Sequence, residues 1–110
     1  MDDISLTDLA QARLQDARDT SNGRASQTVF GGREHSLRQT LIALLRGQEL
    51  HEHENPGEAT VQVLQGTVEL RAGDDTWTGS PGDLVIVPDS RHSLAAVEDS
   101  VVLLTVAKRV

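Results

Sequence analysis

The sequence predicts an all-β protein, a small antiparallel barrel or sandwich with one helix at its amino-terminal end. Three observations predict it. A single stripe of helical period stops near Asp19. From Ala25 onward the apolar residues fall in short runs broken by turn residues. Those runs are too closely spaced to leave room for the crossover helices that parallel strands require. A chain of 110 residues is one domain. The expected division is a helical arm over 1–24 and a barrel over 25–110.

The helix rests on Leu6, Leu9, Ala10, Leu14 and Ala17, which share one face at a period of about 3.6 residues. Ser5 is placed to cap it, and Asp2, Asp3 and Asp8 suit the positive helix end. Thr20-Ser21-Asn22-Gly23 reads as the exit loop, with Gly23 free to take the left-handed cap. The arm is read as packing or lid.

Candidate strands are Ala25–Phe30, Leu37–Leu45, Ala59–Leu64, Thr67–Ala72, Thr76–Thr78, Leu84–Val87, Ser93–Val97 and Val101–Ala107. The second also matches a helix through Leu37, Leu41, Leu44 and Leu45, and is read as strand because strands follow it. Gln65-Gly66 links two apolar runs as a hairpin turn would. Ser80-Pro81-Gly82-Asp83 places Pro and Gly at the centres of a type II turn, with Asp83 as its cap. The last strand is apolar on both faces, and each face needs cover. That argues for a homodimer.

Composition removes several functions. There is no Cys, so disulfides, thiolate metal sites and thiol nucleophiles are excluded; there is no Tyr to act as an acid. A net charge of −7 opposes nucleic-acid binding, and one Trp with one Phe makes a poor stacking platform. The longest apolar run, Leu41-Ile42-Ala43-Leu44-Leu45, is far short of the about 20 residues of a membrane span. The opening Met1-Asp2-Asp3 is acidic where a secretory signal is basic, so a cytoplasmic location is expected.

The chemistry concentrates between Gly47 and Glu58. His51 and His53 would project from one face of an extended strand, about 6.6 Å apart at the backbone, close enough to share a metal ion. Glu49, Glu52, Glu54 and Glu58 form an acidic rim around them. His92 lies at the start of a later strand and could converge on the same interior. His35 reads as an exposed loop residue, Arg91 as surface, and Trp77 as core or interface. Ser90 has no acid to complete a triad.

Gly47-x3-His51-x-His53-x4-Glu58-x7-Gly66, followed by Pro81-Gly82-Asp83 and Pro88-x-Ser90-x-His92, resembles the two signature motifs of the cupin family. The stretch Pro56 to Leu64 and the ending Arg91-His92-Ser93-Leu94 resemble a group of small single-domain bacterial cupins of RmlC-like type. The resemblance implies a jelly-roll β-barrel. It implies His51, His53, His92 and Glu58 as candidate ligands of a divalent transition metal, Zn, Fe, Ni or Cu. It implies a small-molecule ligand in the barrel. The spacing departs from the family's at Glu58, where the in-register residue is Ala59, so Glu58 turns inward only through a bulge. The segment before His92 is one residue short, and the run from Gly47 to His51 is also shorter than usual. Three roles follow as expectations: a non-catalytic binding or sensor module holding a small ligand or a divalent metal, a metal-dependent oxygenase or isomerase acting on a small polar substrate, and a scaffold with an unoccupied pocket that works through dimer contacts.

Overall fold

The computed structural model describes residues 1–51 and 57–108. Helix α1 spans Leu6–Asp19. Ser5 is extended, and its Oγ accepts a hydrogen bond from the Asp8 amide at 3.2 Å, satisfying one of the free donors of the first turn. After the helix, Gly23 takes φ +65°, and its carbonyl accepts the Leu45 amide at 3.0 Å. This bond ties the helix exit to the barrel.

The strands follow as β1 (Arg24–Phe30), β2 (Leu37–Leu44), β3 (Glu49–His51), β4 (Gly57–Gln65), β5 (Val68–Ala72), β6 (Asp75–Gly79), β7 (Leu84–Ile86), β8 (Ser93–Ala96) and β9 (Ser100–Lys108). They form two antiparallel sheets, β1-β2-β9-β4-β7 and β3-β8-β5-β6, packed face to face as a jelly roll. Each expected strand is present. β2 is a strand along its whole length, paired with both β1 and β9. Its helical pattern is overridden by this tertiary pairing. The three-residue β3 is absent from the sequence-based list of strands.

The turns carry the expected chemistry. Gly66 sits at φ +80° between β4 and β5, where a Cβ would lie 2.3 Å from the Asp99 carbonyl oxygen. At Ser80–Asp83, Gly82 has φ +94°, the Asp83 amide donates to the Ser80 carbonyl, and the Asp83 carboxylate accepts the Ser80 amide, both at 2.9 Å.

Strand β9 is central in its sheet, between β2 and β4. Its residues divide by parity. Val102, Leu104 and Val106 face the second sheet and belong to the interior core. Val101 and Leu103 face the other way, against Ala10, Leu14 and Ala17 of α1. β2 divides likewise, with Ile42 and Leu44 inward and Leu41 and Ala43 under the helix. The apolar outer face of β9 that suggested a homodimer is therefore covered by this chain's own helix. The arm is a packing element with a core of its own. Among the described residues, no helix is long and apolar enough to cross a membrane.

Leu14 is fully packed in that second core. Leu14→Ala is expected to lower unfolding free energy by about 3 kcal/mol in urea titrations, while exposed Gln11→Ala changes it by less than about 0.5 kcal/mol. Gly66→Ala, which is strained in backbone and clashes with Asp99, should cost more than about 1 kcal/mol. Equal stability of Leu14→Ala and the wild type would contradict the packing described.

Candidate functional site

The two sheets enclose a cavity of about 330 Å³. Parity builds its wall. The inward residues of β4 are Ala59 and Val61, those of β9 are Val102, Leu104 and Val106, and the facing sheet supplies Leu50, Leu70 and Leu94. One end is closed by Leu44, Val63, Val68 and Ala96, all buried. The other end is polar. There Arg38 and Thr40 from β2, Lys108 from β9 and His92 just before β8 complete the lining.

His92 is the one histidine among the described residues that is buried, at 9% exposure. Its Nδ1 lies 2.9 Å from the Ser90 carbonyl oxygen. A carbonyl only accepts, so Nδ1 carries a proton, and the neutral form of the ring has its lone pair on Nε2. The short Ser90-Arg91-His92 link thus fixes both the ring and its tautomer, as a group that accepts from or ligates a guest must be fixed. His92 also borders a wide outer depression of about 800 Å³, lined with His51, Arg71, Ser90 and Arg91.

The other expected site residues fall elsewhere. His51 pairs with Ser93 across β3 and β8, one position from inward-facing Leu50. Alternation sends it to the outer face, where its side chain is 76% exposed and its Nε2 lies 3.4 Å from Glu49 Oε2. Glu58 is exposed on the outer face of β4, opposite Ala107, while neighbouring Ala59 takes the interior. Within the described part of β4 the register shift lies beyond it, between Val63 and Gln65. His53, with Glu52 and Glu54, lies outside the described residues. Among the described residues, no three His, Cys, Asp or Glu side chains gather to hold a metal ion. His51 and His92 both line the outer depression, while Glu58 is exposed on the outer face of β4.

Several remaining readings match their positions. His35 is exposed, with its ring centroid 5.0 Å from that of Phe30. Arg91 is exposed. Trp77 packs half-buried on the interior core above Gly79, which has no side chain to obstruct it. Arg38 and Lys108 were not among the sequence candidates. Their signal is the alternation Arg38-Thr40-Ile42-Leu44 and Val102-Leu104-Val106-Lys108, which puts a cation at the end of each inward row.

The comparisons with known proteins agree with this architecture. The family described as "Cupin domain" matches residues 40–107. A conserved Streptococcus pyogenes protein of unknown function is similar at 30% identity, covering 83% of this chain and 79% of that one, with a TM-score of 0.74. An RmlC-like cupin protein from Desulfovibrio desulfuricans is similar at 27% identity, covering 76% and 81%, with a TM-score of 0.66. An HTH_3 family transcriptional regulator from Vibrio cholerae shares the fold at 19% identity, over 94% of this chain and 60% of that one, with a TM-score of 0.71. No curated protein matches.

The His92 geometry makes a spectroscopic prediction. Long-range ¹⁵N–¹H correlation should show the neutral ring protonated on Nδ1 and bare on Nε2. The opposite tautomer would mean that the Ser90 contact does not hold the ring.

Proposed function

Because this chain belongs to the cupin domain family, we propose that it is a small-molecule-binding protein whose ligand lies between the two sheets, in a non-catalytic binding or sensor role. The observation that carries this reading is the cavity itself. Its lining is mainly apolar, with Arg38, Thr40, His92 and Lys108 as the polar members. Such a pocket holds a guest by removing its apolar body from water, worth about 25 cal/mol per Å², while a few polar groups fix its direction. Its volume of about 330 Å³ lies at the small end of the range typical of ligand sites, about 300–1,000 Å³. His92 Nε2 offers a lone pair to a donor on the guest.

The binding reading is preferred over a metal-dependent oxygenase or isomerase because the latter needs several donors converging on one interior point. Elemental analysis separates the two. The binding reading expects less than about a tenth of an equivalent of retained transition metal. A full equivalent, lost in His53→Ala and kept in His35→Ala, would favour the enzyme.

Leu84 and Ile86 are 55% and 77% exposed on β7, an edge strand of the larger sheet. Pairing of this edge with a second copy would cover them. The assembly proposed is a homodimer in the cytoplasm, and a monomer at high concentration in sedimentation would contradict the dimer.

A fragment screen by thermal shift tests the pocket. Ala59 is buried in the wall, and Ala59→Leu adds side-chain volume inside it. Fragments that raise the melting temperature of the wild type should lose that effect in Ala59→Leu and keep it in Leu103→Ile, which alters only the face under the helix. Fragments unaffected by Ala59→Leu would place binding elsewhere.

A further inference from the structure

The charge at the cavity mouth narrows the ligand class. This inference rests on the proposal that the barrel binds a small molecule. We infer that the guest is a small organic anion, an aliphatic carboxylate, whose charged end is held by Arg38 and Lys108 and whose body fills the apolar interior.

The first observation is the sign of the lining. The cavity wall contains two permanent cations, Arg38 and Lys108, and no carboxylate among the described residues. This occurs in a chain with 17 acidic and 10 basic side chains. The overall field repels anions, so an anion is admitted only where cations are concentrated. The outer depression that adjoins the mouth adds Arg91, together with Arg71, which is ion-paired with Glu69.

The second observation is placement. Arg38 is opposite Val106 in the β2–β9 register, and Lys108 is the next inward position along β9. The two are therefore diagonal neighbours on the interior face, at the same end of the barrel. The Lys108 amide donates to the Ser36 carbonyl at 2.7 Å, which fixes the strand end that carries it.

The third observation is that neither cation is neutralised by the described residues. Lys108 Nζ donates to the Gly32 carbonyl oxygen at 3.4 Å, a long bond to an uncharged group. Arg38 enters none of the ion pairs found among them. A carboxylate supplies the missing charge and matches guanidinium geometry with its two oxygens. The wall beyond the cations is Ile42, Val61, Val102, Leu104 and Val106, which favours an aliphatic chain.

The test uses hexanoate and its neutral isostere hexanamide, titrated into the full chain and followed by the methyl signals of Val102 and Leu104. Hexanoate should bind at least about tenfold more tightly. Arg38→Gln and Lys108→Gln should each shrink that preference toward unity, whereas Leu103→Ile, under the helix, should leave it unchanged. The preference should also weaken with added salt. Equal binding of the two probes at the interior methyls would overturn the anion inference and leave the barrel-binding reading intact. Failure of both probes to move those methyls would overturn the inference together with the reading beneath it.

Discussion

The structure depends on strand β9 serving two cores at once. It is hydrogen-bonded on both sides, to β2 along its whole length and to β4 across a register that shifts only near Gln65. Val102, Leu104 and Val106 are given to the cavity, and Val101 and Leu103 to the helix. A slip of one residue would send Val101 and Leu103 into the cavity and place Val102 and Leu104 under α1. The register is held at the strand's start by polar contacts. Ser100 is buried; its Oγ donates toward the Thr67 and Glu98 carbonyls and accepts the Thr67 amide at 3.0 Å. The Asp99 carboxylate accepts the Arg46 amide at 2.9 Å and pairs with Arg18 of α1 at 3.4 Å. One corner thus locks strand, turn and helix together.

The same parity sorts the functional side chains. Inward rows end in Arg38, Lys108 and His92, so the cavity has an apolar body and a polar, cationic mouth. Outward rows carry His51 and Glu58. Of the donors counted along the chain, Glu58 stands on the outer face of β4, and His51 meets His92 only at the outer depression. What remains inside suits the capture of a guest by burial and charge. The helix contributes by covering the sheet on its outer side, leaving the cavity side free.

Much of the fold was legible in local chemistry. The helical stripe, the Ser5 cap and the Gly66 and Gly82 turns are each set by residues within a few positions of one another. The two faces of β9 were also legible, but the partner for the second face was not. The stripe on α1 and the apolar face of β9 are far apart in sequence, and only the packed structure joins them. β2 was ambiguous because its apolar spacing fits two periods, and pairing on both edges decides it. The site was less legible. Spacing says that His51 and His53 share a face of a strand; it does not say which face is inside. That is settled by Leu50, which packs into the interior core and so sends His51 outward. At Glu58 the register argument from Ala59 agrees with its exposed position. Arg38 and Lys108 escaped notice because a cation at a strand end reads as solvated surface until the opposite sheet is in place.

The most direct test is methyl NMR under xenon pressure, since xenon enters apolar cavities regardless of the natural guest. The account predicts shifts at Val61, Val102 and Leu104, on the inward rows, with Val101 and Leu103 unmoved. Perturbation at Val101 and Leu103 instead, or at none of the five, would contradict the two-faced strand and the cavity it walls.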